Sequence, residues 1–226
     1  MTTDILVVGI GGQGVMTAAE VLARAALAAG LEASKTEVTG MSQRGGVVCS
    51  QVRIGEHVEA GEIRPGEAQL LIAFEAAEAL RWCHYLAPHG VALADRWRAV
   101  PPIVSCGIHE YPADPAGEMR SRGVHAIEID ARGVAESLGD ARLANSVMLG
   151  AAAAILSFPP EALRDEVVRR FGDRPGLAEA NANAFDAGRK QVPQRPSALS
   201  KWRGHAEAGD TRDRLGRTSI GPYSAT

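Results

Sequence analysis

Ile5-Leu6-Val7-Val8-Gly9-Ile10-Gly11-Gly12-Gln13-Gly14 passes from an apolar run through a cluster of glycines into the alanine-rich stretch from Val15 to Ala29. It reads as strand, glycine turn and helix. Without Cβ atoms in the way, such a turn lets backbone N–H groups and a helix N-terminus converge on one spot, the usual means of holding pyrophosphate or carboxylate groups. Gly9, Gly11, Gly12, Gln13 and Gly14 are therefore candidate ligand contacts. The same glycines could instead serve only a tight turn with close helix-to-strand packing.

The rest of the chain fits an α/β reading. At 226 residues it is long enough for one domain with a proper core and short for two. Hydrophobic residues make up 46% and aromatics 4%, so the core is built from small and β-branched residues in closely packed layers. A net charge of −3 argues against a general binder of nucleic acid or anionic membrane. No stretch approaches the roughly 20 apolar residues of a membrane span, and the first strand follows the N-terminus without a basic segment and apolar run, so a cytoplasmic protein is expected. Cys49, Cys83 and Cys106 are far apart and read as small buried residues. Only His84 and His89 approach a zinc-like spacing; Pro88 separates them and no cysteine pair accompanies them, so no metal site is expected.

Gly30 stops the first helix and Leu31 to Val38 reads as a second strand. Thr39-Gly40-Met41-Ser42-Gln43-Arg44-Gly45-Gly46 is a loop with three glycines and three hydrogen-bonding side chains in a row, followed by a strand from Val47 to Ile54. The Gly55-Glu56 turn and Val58 to Ile63 suggest a hairpin partner for that strand. Ala68 to Ala73 is a buried strand, and a helix from about Glu75 to Leu86 is closed by Pro88-His89-Gly90. Val91 to Ala94, Ile103 to Ser105 and Ala126 to Ile129 are short strands, with Pro101-Pro102 joining the first two. Helices follow over Leu143 to Leu156, from Pro159-Pro160 to Gly172, and over Leu177 to Gln191. The expected architecture is three-layer α/β, a Rossmann-like open sheet, mostly parallel, with a β-hairpin excursion.

Residues 1–192 form that domain. Residues 193–226 carry prolines and glycines without an apolar period, and a net charge of +3 against −6 for the rest. This segment cannot fold alone. It is expected to be an extended arm that docks on a partner, with Trp202 as an aromatic anchor, or else a disordered tail.

Gly9-Ile10-Gly11-Gly12-Gln13-Gly14, then Glu37-Val38-Thr39-Gly40-Met41-Ser42-Gln43-Arg44-Gly45-Gly46, then Glu75-x-x-Glu78-Ala79-Leu80-Arg81, then Asn145-x-x-Met148-Leu149-Gly150 together resemble one family. The chain is similar to the beta subunit of indolepyruvate:ferredoxin oxidoreductase, the counterpart of the gamma domain of 2-oxoacid:ferredoxin oxidoreductases. Asn181, Ala184, Phe185 and Gly188 extend the likeness, which covers about residues 4–191. The resemblance implies a subunit whose large alpha partner carries thiamine diphosphate with Mg and iron–sulfur clusters. Coenzyme A would then collect the acyl group and ferredoxin the electrons. The scattered cysteines agree with that division of labour.

If the glycine turn and the loop around Ser42-Gln43-Arg44 lie at the carboxyl ends of neighbouring strands, they face one crevice. Arg44 could pair with a phosphate or carboxylate through its planar fork, while Gln13, Ser42 and Gln43 add neutral hydrogen bonds. By resemblance, the surface of Gly9, Gly11, Gly12, Gln13, Gly14, Gly40, Met41, Ser42, Gln43, Arg44, Gly45, Gly46 and Asn145 lines the cleft at the partner interface. Plainer roles stand beside these: Arg44 in a salt bridge with Glu37 or the partner, Asn145 as a helix cap or brace, and Glu75 and Glu78 as a solvated helix start. Two other functions are open. A freestanding NAD or flavin protein would use Glu32 or Glu37 on a ribose hydroxyl, and a purely structural subunit would pack its glycine loops against the partner.

Overall fold

A computed structural model of the chain describes residues 2–39, 46–59, 61–100 and 110–192. Strands β1 (Thr2–Ile10), β2 (Glu32–Thr39), β3 (Val47–Gly55), β4 (Ala68–Ala73), β5 (Leu86–Asp95) and β6 (His125–Ile129) form one sheet in the order β2-β3-β1-β4-β5-β6. β4, β5 and β6 continue parallel from β1. β3 runs antiparallel to both β1 and β2, so β2 points the same way as β1.

The apolar run Ile5 to Val8 feeds both faces of this sheet, as a strand with period two and cover on each side must. Ile5 and Val7 join Val52, Ile72 and Leu93 beneath helices α1 (Val15–Ala28), α4 (Ala131–Ser137), α5 (Ala144–Ala153), α6 (Pro160–Arg170) and α7 (Pro175–Arg189). Leu6 and Val8 join Cys49, Leu71 and Ala92 on the other face, beneath α2 (Ala76–Trp82) and α3 (Pro115–Ser121). Three layers result, with the sheet in the middle.

Small residues set the spacing. α1 presents Ala18, Ala19, Ala25 and Ala26 to the sheet, all fully buried. α5 and α7 cross still more closely. A Cβ on Gly150 would stand 2.8 Å from the carbonyl carbon of Phe185, and one on Gly188 would stand 2.6 Å from that of Val147. The Asn181 carboxamide is buried in this crossing, accepting from Ser146 Oγ at 2.6 Å and donating to Leu177 O at 2.8 Å.

Several sequence expectations are corrected. Val58 to Ile63 is not the hairpin partner of β3, because both edges of β3 are already taken by β1 and β2. The hairpin is β2–β3 itself. Glu62 and Ile63 are held by side chains instead: Ile63 N donates to Gln51 Oε1 at 2.6 Å and Arg53 Nη1 to Glu62 O at 3.2 Å. The helix expected to reach Leu86 ends at Trp82, tightens into a 3₁₀ turn over Cys83–Tyr85, and yields to β5 at Leu86. Pro88-His89-Gly90 therefore lies inside a strand. It does so at a break in register opposite β4, with His89 at φ 72°, and a Cβ on Gly90 would stand 2.8 Å from Ala68 O. α3 and α4 were not expected, although each carries a sequence signal: Asp114 and Asp130 cap them by accepting from Gly117 N and Gly133 N. The strand expected at Ile103 to Ser105, the Pro101-Pro102 join and the arm from 193 onward lie outside the described residues.

Candidate functional site

β1 and β4 are parallel neighbours, and the helices that follow them leave on opposite faces of the sheet. Such a switch point opens a crevice at the carboxyl ends of the strands, where open α/β sheets place their ligands. The glycine turn stands there. Gly14, at φ 81°, begins α1, and Gly12, at φ 104°, is exposed with nothing within 4 Å of where its Cβ would lie.

The turn is held by its neighbours. Gln13 Oε1 accepts from Ile10 N and Gln13 Nε2 donates to Phe74 O, each at 2.6 Å, so the side chain bridges the carboxyl ends of β1 and β4. Asn145, in the first turn of α5, donates from Nδ2 to Gly14 O at 2.9 Å and to Gln13 O at 3.2 Å. Its role as a brace is thus filled, although it braces α1 and not its own helix. Gly11 N donates to Gly46 O at 2.9 Å, which ties the turn to the exit of the Thr39–Gly46 loop. Gly9, Gly11, Gly12, Gln13, Gly14, Gly46 and Asn145 therefore form one constellation. Gly40, Met41, Ser42, Gln43, Arg44 and Gly45 lie outside the described residues.

Glu75 and Glu78 are not a solvated helix start: both carboxyl groups are buried. Glu75 caps α2 by accepting from Glu78 N at 2.9 Å, and its other oxygen accepts from Ala99 N at 3.1 Å and from the Tyr111 hydroxyl. Tyr111 Oη in turn accepts from Ala77 N at 3.1 Å. This cluster pins the chain that follows β5 to the first turn of α2. Burial, the Glu75 hydrogen bond and its charge all push the Tyr111 hydroxyl up. Burial pushes the Glu78 carboxyl up to about 7 and the charge of Glu75 adds to this, whereas Arg81, 3.2 Å away, and the Trp82 indole N–H pull it back. Asp95, at the end of β5, is pushed up to about 6 by burial against bonds from Trp97 N and Ala131 N. Tyr111 escaped the sequence reading because it lies 36 residues from Glu75 and no local pattern marks it.

The acids proposed for a ribose are elsewhere. β3 stands between β1 and β2, so neither Glu32 nor Glu37 is on the strand beside the glycine turn. Glu32 accepts from Val58 N at 2.8 Å and Glu37 pairs with Lys35 at 2.7 Å. Cys49 and Cys83 are buried, and burial pushes the Cys49 thiol up to about 12. Among the described residues no group of three or more His, Cys, Asp or Glu is placed to hold a metal ion, and no helix is long and apolar enough to cross a membrane.

Residues 4–191 match the family model for pyruvate ferredoxin/flavodoxin oxidoreductase. The chain belongs to this family. It is similar to the indolepyruvate oxidoreductase subunit IorB of Archaeoglobus fulgidus, 36% identical over 202 residues that cover 88% of this chain and all of that one. The IorB subunit of Thermococcus kodakarensis is 36% identical over 197 residues, 84% of this chain and 96% of its own length. In fold it resembles a keto/oxoacid ferredoxin oxidoreductase gamma subunit from Geobacter sulfurreducens, with a TM-score of 0.62 at 24% identity, covering 84% of this chain and 97% of that one.

Proposed function

We propose that this chain is the beta subunit of a thiamine diphosphate-dependent oxidoreductase that converts an aryl 2-oxoacid, indolepyruvate or a close relative, with coenzyme A to the acyl-CoA and CO2 while reducing ferredoxin. The observation that carries the reading is the Gly11 N to Gly46 O bond, which ties the glycine turn at the switch point to Gly46, in a chain 36% identical to a relative named indolepyruvate oxidoreductase subunit IorB. Thiamine diphosphate, held with Mg and the iron–sulfur clusters by a large alpha partner, supplies the chemistry that releases CO2 and the electrons. The contribution assigned to this chain is to position and enclose the reactants.

In that role we assign ligand contacts to the exposed Gly12 tip and to Ser42, Gln43 and Arg44, with Arg44 pairing to a carboxylate or phosphate. The arm from 193 to 226 docks on the partner, and the complex works in the cytoplasm. A freestanding dinucleotide binder is disfavoured by the placement of β3, which removes the acid that a ribose needs from the side of the turn.

Native purification of the tagged chain tests the reading. A brown complex with a large partner, thiamine diphosphate and iron, reducing a viologen dye when an aryl 2-oxoacid and coenzyme A are added, is the expected result. A colourless chain without a partner overturns it. Within an active complex, Arg44→Ala raises KM with assembly intact; unchanged steady-state kinetics sink the assigned contact.

A further inference from the structure

Gln13 looks like a ligand contact in the sequence, yet both ends of its carboxamide are committed to backbone groups on two strands. Oε1 takes the N–H of Ile10 and Nε2 gives to the carbonyl of Phe74, both at 2.6 Å. The identity of these partners fixes which end is oxygen and which is nitrogen, since an N–H requires an acceptor and a carbonyl a donor. Gly9 leaves the room, because a Cβ there would stand 2.6 Å from Gln13 Oε1. From the other side Asn145 Nδ2 holds the carbonyls of Gln13 and Gly14. What remains exposed is Gly12, at a φ of 104°.

We propose that Gln13 is a positioning residue: by locking β1 to β4 it sets the direction of the Gly11–Gly12 tip, and with it the bond from Gly11 N to Gly46 O. The turn and the loop exit then meet the cleft as one surface. The proposal rests on the oxidoreductase reading and deepens it. A carboxamide is needed because it presents one acceptor and one donor on a rigid plane. A carboxylate keeps the acceptor for Ile10 N and places a second acceptor against Phe74 O; a thioether of similar length supplies neither group adequately.

The test compares the wild-type complex with Gln13→Glu and Gln13→Met. At neutral pH both variants keep partner and cofactor content, and KM for the 2-oxoacid or for coenzyme A rises about tenfold with kcat within about twofold, the signature of lost ground-state positioning. The KM that moves tells whether a carboxylate or a phosphate meets the tip. Relative to wild type, Gln13→Glu recovers as the pH falls through about 5, because the Phe74 carbonyl facing the new carboxyl favours its protonated form and lifts its pKa above the ordinary value of about 4.3, and Gln13→Met does not. Unchanged KM values with a lowered melting temperature, or an activity loss that only tracks loss of partner, overturn the proposal. If the wild-type complex oxidises no 2-oxoacid, the functional reading falls and the lock is judged by amide hydrogen exchange. The Gly11 amide, hydrogen-bonded to Gly46 O, then exchanges at least about tenfold faster in Gln13→Met than in wild type, and equal rates overturn it.

Discussion

The same substitution at two points of one helix has opposite consequences. Gly188 and Gly176 both lie in α7. A Cβ on Gly188 would stand 2.6 Å from the carbonyl carbon of Val147 and 2.8 Å from its Cα. An ordinary carbon contact needs about 3.5 Å or more, so Gly188→Ala forces α5 and α7 apart by about 1 Å, a gap that forfeits a quarter to a half of each affected contact. Phe185, Val147 and Met148, fully buried at this crossing, lose part of their packing. Overpacking of this kind costs about 3 kcal/mol, which lowers Tm by roughly 6–12 °C for a chain of this size. Gly176 is exposed and has nothing within 4 Å of its would-be Cβ, so Gly176→Ala gains only helix propensity, at most about 1 kcal/mol. Thermal unfolding of the two full-length variants, followed by circular dichroism, checks both signs. The Gly150→Ala, Gly188→Ala double variant costs less than the sum of the single ones, because the first substitution has already parted the helices. A Gly188→Ala Tm within about 2 °C of wild type refutes the close crossing.

The acid cluster at α2 makes stability depend on pH. The folded state prefers Glu78 protonated, since its pKa is raised from 4.5 to about 7, so its contribution is whole below about 4.5 and is lost as pH rises through about 7. Glu78→Gln, neutral at every pH, therefore gains on wild type between about pH 5 and 8, by up to about 3 kcal/mol; a Tm difference that stays flat across that range contradicts the assignment. Tyr111→Phe strands Ala77 N and removes a donor from Glu75, costing about 1–3 kcal/mol as read from the urea midpoint. A midpoint equal to that of wild type would mean that the Tyr111 hydroxyl does not hold the chain after β5.

Much of the fold is legible locally. The apolar run Ile5 to Val8, the glycines after it and the alanines of α1 announce a strand, turn and helix, because period, absence of Cβ and helix propensity act over a few residues. The same holds for β4, β6, α6 and α7. The switch point is legible only as a condition: the glycine motif and the glycine-rich loop are each recognisable, but that Gly11 N bonds to Gly46 O at the loop exit is a contact between residues 35 positions apart that no local pattern fixes.

What failed was decided at a distance. Val58 to Ile63 has the pattern of a hairpin strand, but only the tertiary structure shows that β3 has no free edge for it. Glu75 and Glu78 look like any acidic helix start until burial takes both from solvent and the Tyr111 hydroxyl, 36 residues on, bonds to Glu75. Gln13 has the side chain of a ligand contact, and its two partners on β1 and β4 reassign it to the scaffold. The sequence by itself determined the elements with a strong local pattern, such as β1, α1, β4, β6, α6 and α7, since those follow from short-range sterics and periodicity. The tertiary structure decided which edges were taken and which polar groups were already satisfied, because each hydrogen-bonding group has few partners to give and distant parts of the chain compete for them.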